Sequence, residues 1–179
     1  MARPDANWLE SLSKTRLIAE FSVWSADLGA LRADLARVEP HVDMLHIDVS
    51  DGHFTAALLF FPDQIASLRK ATAKPMHVHL MVTGAVLLSQ IEQFAEAGAD
   101  LISIHAETDP AILREAFARI AALGLKAGLV LQLETPVEQA EPWIPDVALL
   151  TLVSTPIGIK GVQPDETTYL RLAEARALL

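Results

Sequence analysis

The chain has 179 residues, 51% of them hydrophobic, no cysteine, and a formal net charge of −9. That length supports one domain with a sizeable core. The acidic balance argues against broad electrostatic binding to nucleic acid or an anionic membrane, but is compatible with a small anionic ligand held locally. The absence of cysteine excludes disulfides and thiol chemistry, and no run approaches the roughly 18–20 consecutive apolar residues of a membrane span.

The N-terminus, MARPDANWLESLSK, lacks the apolar core of a signal peptide, so a cytoplasmic protein is expected. A first strand is predicted over 16–23. Asp27 is expected to cap a helix over LGALRADLARV that ends near Pro40. A second strand follows over 43–49, and Pro62 suits the first turn of a helix running to about Lys70. Next come a strand over 76–82, a helix over 84–97 closed by Gly98 and a strand over 100–105. A helix over 109–123 closed by Gly124 leads to a strand over 126–131. A short helix is expected after Pro136, a strand over 147–153, and a last helix from near Pro164 to the end.

The rhythm is six β-α units in one domain, as in a parallel sheet with right-handed crossovers. An open doubly wound sheet would carry a Gly-rich loop after its first strand, whereas WSADLGAL has none. Polar residues gather instead at the C-terminal ends of several strands, which is how a (β/α)8 barrel builds a site. The expected fold is a TIM-type barrel.

Two strands carry the chemistry. In MLHIDVSDGHF (44–54), His46, Asp48 and Ser50 stand two apart and share one face; in MHVHLMV (76–82), His77 and His79 do the same. Strands of a parallel sheet are normally apolar on both faces. His46, Asp48 and His79 therefore read as a three-ligand set for Zn²⁺, Mn²⁺, Fe²⁺ or Co²⁺, since a buried unpaired carboxylate is costly. His77 lies one pair deeper, as core or as support for the ligands. Ser22, at the end of the first strand, can donate into the same mouth. Met81, two after His79, is packing or a polarizable cover. The loop STPIGIKGVQ (154–163) can offer backbone N–H groups around Gly158 and Gly161, with the charge of Lys160, to a phosphate. His41, Trp8 and Trp143 read as loop or packing residues, and so first does His105, which ends the fourth strand and could also line the mouth.

In order, these residues resemble the ribulose-phosphate 3-epimerase family over about 16–163. The family's S-x-x-S-A-D is Ser22-Val23-Trp24-Ser25-Ala26-Asp27. Its H-x-D-x-M-D-G-x-F is His46-Ile47-Asp48-Val49-Ser50-Asp51-Gly52-His53-Phe54, and its D-V-H-L-M is His77-Val78-His79-Leu80-Met81. FAEAGADLISIHAE (94–107) and LKAGLVLQLETP (125–136) are similar too. The resemblance implies a (β/α)8 barrel of the ribulose-phosphate-binding kind, a divalent metal and a phosphorylated ketopentose. The implied reaction is epimerisation at C3 through an enediolate. His46, Asp48 and His79 would be ligands and Asp48 also a catalytic acid/base. Ser22, His79 and Met81 would contact substrate, while Gly158, Lys160 and Gly161 are expected to do so from the reading of their own loop. A homo-oligomer is expected on family grounds.

The chain departs from the family at Ser50, where the pattern has Met, and at Thr55-Ala56-Ala57, where it has V-P-N. It departs again over 151–163, which is longer and carries Lys160. The family's second catalytic Asp lies on strand seven and further phosphate donors follow strand eight. The sequence ends after helix six, so a barrel domain incomplete at its C-terminus is expected, and the 179 residues alone are expected not to epimerise. The competing reading is a non-catalytic barrel that binds a sugar phosphate or a partner. Relatives using Asp-x-Lys within a strand are disfavoured, because neither 43–49 nor 76–82 contains Lys.

Overall fold

Each apolar run becomes a strand because its alternate residues can be buried beneath helices. The computed structural model describes residues 3–179. Among these, six parallel strands pair in strict chain order. They are β1 (Glu20–Ser22), β2 (Met44–Ser50), β3 (Met76–Met81), β4 (Leu101–His105), β5 (Lys126–Leu131) and β6 (Leu149–Leu152). The helices are α1 (Trp8–Ser11), α2 (Leu31–Val38), α3 (Pro62–Arg69), α4 (Gly84–Ala97), α5 (Pro110–Ala122) and α6 (Thr168–Leu178). None is long and apolar enough to cross a membrane.

One face of the sheet is a conventional core. Leu45, Ile47, Val49, Val78, Leu80, Ile102, Ile104 and Leu129 are buried in one cluster with Ile65, Ile91, Phe94, Leu113 and Ile120 from the helices. The opposite face curls inward as part of a barrel. Trp8 of α1 joins Met44 of β2 and Leu101 of β4 in a second cluster, with Leu149 of β6 packed against it. In a flat sheet β2 and β6 would lie four spacings apart, about 19 Å, so one small cluster reaches both only because the sheet bends.

The expected caps form at Gly98 and Gly124, whose φ angles are +109° and +73°. A side chain at Gly98 would place its Cβ 2.7 Å from the buried stem of Arg69. Asp109 caps α5 by accepting from Ala111 N (2.8 Å) and Ile112 N (3.4 Å), with Pro110 in the first turn.

Three expectations are corrected. The first strand is only Glu20–Ser22, since Val23–Ser25 tightens into a 3-10 turn; at its entry the Asp43 carboxylate accepts from Ala19 N (2.8 Å) while Asp43 N donates to Ala19 O (2.8 Å). Ala30, not Asp27, precedes α2; the Asp27 carboxylate accepts from Gly29 N instead (2.9 Å). The short helix expected after Pro136 does form, over Val137–Asp146, and it is 3-10 because Pro142 and Pro145 remove donors from the α pattern. The last helix begins at Thr168, after a turn in which Asp165 accepts from Thr167 N (2.8 Å).

Candidate metal centre and active site

Register decides what meets on the inner face. Ser22 pairs with His46, His46 with His77, Asp48 with His79, and His79 with Ser103, so neighbouring strands bring these side chains together. Asp48 Oδ1 lies 3.0 Å from His46 Nε2 and 3.2 Å from His79 Nδ1. One ligand atom from each of the three residues lies within 4.8 Å of the other two. Ser22 Oγ donates to the other oxygen of Asp48, Oδ2 (3.2 Å). One carboxylate oxygen thus faces two imidazoles while its twin faces a hydroxyl.

The far nitrogens of both imidazoles are also held. His46 Nδ1 is 3.4 Å from Glu20 Oε1. His79 Nε2 is 2.8 Å from His105 Nε2, and His105 Nδ1 is 2.9 Å from Glu107 Oε2. Glu107 in turn accepts from Gln132 N (2.9 Å) and from the Thr135 hydroxyl.

Burial favours the neutral form of Asp48, but hydrogen bonds with His46 and His79 outweigh it and hold the carboxyl well below its usual range. Burial likewise opposes protonation of His46; the Asp48 and Glu20 carboxylates overcome it and raise its pKa to about 10. For His79, burial wins over the Asp48 hydrogen bond, and the pKa falls to about 4. Burial pushes Glu20 up, and His46 and His77 bring it down to about 2. The cluster is therefore arranged around one positive charge between two carboxylates. Once that proton leaves His46, two imidazole nitrogens and a carboxylate oxygen face one point and would fit a divalent ion of the Zn²⁺ type in its place.

A second group, Glu20, His46 and His77, has ligand atoms equally close. His77 Nδ1 is 2.6 Å from Glu20 Oε1, and its Nε2 is 2.6 Å from Ser103 Oγ. The reach matches a Glu-His-Ser nucleophile arrangement. Ser103 and His77 are both 0% exposed, however, so no substrate reaches that hydroxyl.

Met81 is buried on the face of His79, and Ser50, its register partner, donates to Ala57 O (2.8 Å), which anchors the loop after β2. The 154–163 loop crosses to the loops after β1 and β2. Thr55 Oγ1 donates to Ile157 O (3.4 Å), and the Lys160 ammonium hydrogen-bonds Trp24 O while lying 5.0 Å from that ring's centroid. Gly158 and Gly161 take φ angles of +73° and +76°. Neither they nor Lys160 hydrogen-bond to His46, Asp48 or His79. A separate cleft of about 620 Å³ lies against β6 and α6, lined by Leu150, Leu152, Leu172, Ala175, Arg176 and Leu179, and carries no comparable group of titratable residues.

Sequence reasoning missed Glu20, Ser103 and Glu107 and gave second place to the reading of His105 as lining the mouth, where it lies beside His79. Glu20 stands two residues before Ser22, so the same period of two that singles out His46 and Asp48 would have found it.

A family model described as the ribulose-phosphate 3 epimerase family matches residues 18–178. Ribulose-phosphate 3-epimerase of Bacillus subtilis is 38% identical over 158 residues, 88% of this chain and 71% of that protein. The chloroplastic ribulose-5-phosphate-3-epimerase of Arabidopsis thaliana is 31% identical over 172 residues, 95% of this chain and 60% of that protein. Against the Synechocystis ribulose-phosphate 3-epimerase the match is 35% and spans 65% of the relative. Among solved structures, a mutant tryptophan synthase alpha-subunit from Pyrococcus furiosus has a TM-score of 0.66 at 12% identity, covering 90% of this chain and 76% of that one. For a 3-hexulose-6-phosphate synthase the values are 0.63 and 16%, covering 89% and 76%. These two likenesses bear on the fold alone, whereas the family match spans the inner-face histidines and Asp48: the chain belongs to the ribulose-phosphate 3-epimerase family.

Proposed function

We propose that this chain carries the proton-abstracting half-site of a divalent-metal-assisted epimerase acting at C3 of a ketopentose phosphate, of the ribulose 5-phosphate and xylulose 5-phosphate kind. The observation that carries this reading is the meeting of one ligand atom each from His46, Asp48 and His79 within 4.8 Å on the inner face of a family member, with His46 Nε2 and His79 Nδ1 at 3.0 and 3.2 Å from Asp48 Oδ1. A divalent cation held by these three residues would supply Lewis-acid polarisation of the substrate's C2 carbonyl. Asp48 Oδ2, turned away from the imidazoles, takes the C3 proton as general base, and the electron pair left behind moves into the C2 carbonyl. The Ser22 hydroxyl at 3.2 Å keeps that oxygen aimed. Met81 covers the reacting carbon on the His79 face. Backbone N–H groups near Gly158 and Gly161, with Lys160, meet the phosphate once Lys160 leaves the Trp24 carbonyl.

The test is NMR of D-ribulose 5-phosphate in D₂O with the metal-loaded chain. Deuterium is expected at C3, and Asp48→Asn is expected to slow its entry by about 10²–10⁴-fold, the range for losing a general base. Exchange without xylulose 5-phosphate identifies one acid working alone. Bound metal with no exchange at C3 overturns the reading. A second reading, a sugar-phosphate-binding barrel without turnover, is favoured by the tethering of Lys160 and Ser50 to backbone carbonyls, and binding without exchange would support it.

A further inference from the structure

The proposed centre needs His46 to present Nε2 as a lone pair, so the remaining proton of the neutral ring must sit on Nδ1. A histidine that binds a metal commonly donates its other N–H to a carboxylate, which fixes ring and tautomer together. Here the carboxylate facing Nδ1 is Glu20, on the neighbouring strand, with Oε1 at 3.4 Å. The reverse tautomer would turn a lone pair toward that carboxylate.

Glu20 is itself held. His77 Nδ1 approaches the same Oε1 at 2.6 Å and must donate, since the carboxylate is an acceptor. His77 Nε2 is then the acceptor for the Ser103 hydroxyl at 2.6 Å. Beneath Ser103 stands Gly128, where any Cβ would fall inside the radius of Ser103 Oγ. Four adjacent strands thus contribute one side chain each, and once His46 gives Nε2 to the cation every proton in the row Ser103, His77, Glu20, His46 has one place. The D-V-H-L-M pattern carries Asp where this chain has His77, so β3 offers no carboxylate at this point and β1 does.

We propose that Glu20, backed by His77 and Ser103, is a positioning residue that holds His46 with Nδ1 protonated and Nε2 turned to the cation shared with Asp48 and His79. This rests on the metal reading of the same site. It assigns to Glu20 no contact with substrate and no bond to the ion.

The first measurement uses the native chain loaded with Zn²⁺ and long-range ¹H–¹⁵N correlation of the histidine rings. His46 ligated through Nε2, with a slowly exchanging Nδ1 proton, is expected; ligation through Nδ1 overturns the proposal. The second is titration with Co²⁺, read by visible absorption and by calorimetric stoichiometry, in native, Glu20→Gln, Glu20→Asp and Asp48→Asn chains. Glu20→Gln is expected to weaken binding by about 10- to 100-fold, as for other supporting carboxylates, with one ion per chain throughout and partial recovery in Glu20→Asp. Affinity of Glu20→Gln within twofold of native, with binding still abolished by Asp48→Asn, overturns the role of Glu20 and leaves the metal reading standing. Two ions in the native chain and one in Glu20→Gln would make Glu20 a ligand, which also overturns it. No binding by the native chain defeats the metal reading and this inference together.

Discussion

His79 faces Asp48 through Nδ1 and His105 through Nε2, so its tautomer depends on what His105 can accept. With Glu107 accepting from His105 Nδ1, His105 Nε2 is free to accept from His79, so that in the metal-loaded site His79 Nδ1 can present its lone pair to the cation beside Asp48. Replacing His105 by Phe keeps a ring against Phe54, whose centroid is 4.7 Å away, but removes the acceptor. We expect His105→Phe to weaken Zn²⁺ binding by about 10- to 100-fold in competition with a chromophoric chelator, with the fold intact by circular dichroism. Unchanged affinity would show that the His79 orientation is set elsewhere. The three proposed ligands could be read from sequence because polar residues repeating every second position inside an apolar strand must all meet on one face. Glu107 could not. It lies two residues past His105 but beyond the end of β4, where backbone direction is no longer set by strand geometry. Its role depends on Thr135 and Gln132, 28 and 25 residues away.

At the scale of elements, the join between α3, β3 and β4 rests on a buried ion pair. Arg69 is 0% exposed, and its Nη1 lies 2.8 Å from Asp100 Oδ2. Its Nη2 donates to Thr72 O (2.8 Å) and Lys74 O (2.6 Å), which fixes the turn leading into β3. Asp100 also accepts from Met76 N (2.9 Å) and so sets where β3 begins. A matched buried pair adds little over an apolar one, but removing one partner strands a charge. Asp100→Ala is expected to lower the unfolding free energy by about 3–5 kcal/mol, read from urea curves. A loss below about 1 kcal/mol would mean that water replaces the carboxylate. Nothing in a lone Arg and a lone Asp thirty-one residues apart announces this pair, whereas the strand and helix between them are plain. Pro62 and Gly98 punctuate the helices, and short apolar runs mark the strands. One element escaped sequence reading, and another was expected as a short helix without its 3-10 form; packing orders both. Trp8–Ser11 is a single turn, too short to show helical periodicity, and is held by Trp8 entering the inner cluster. Val137–Asp146 carries two prolines and coils around Trp143, which packs on Phe117 (centroids 5.7 Å apart).

Across the whole molecule, the C-terminal ends of the strands are stitched together by side chains rather than by regular structure. Asp51 accepts from His53 N, Phe54 N and, across to the loop after β3, Thr83 N (2.9, 2.8 and 2.8 Å). Glu107 joins the loop after β4 to that after β5. Arg171 of α6 donates to Gln132 O, Thr135 O and Val153 O, closing the row at β6. Burial raises the Asp51 carboxyl, but the three backbone donors bring it to about 2, against 3.8 for an ordinary Asp. Burial also raises Glu107, and His105, Thr135 and Gln132 bring it to about 2, against 4.5. Both folded values lie below the unfolded ones, so the unfolded chain binds more protons as the pH drops. The stability these groups contribute is present above about pH 4.5 and is lost as the pH falls through about 2. In urea titrations between about pH 6 and 2.5, the native chain should therefore weaken steeply below about pH 4.5. The double variant Asp51→Asn with Glu107→Gln should be less stable at about pH 6, on the order of 1–3 kcal/mol, and should follow a flatter curve that converges on the native one in acid. Two parallel curves would mean that these carboxylates hold the loops by shape alone and that charge at the mouth adds nothing to folding.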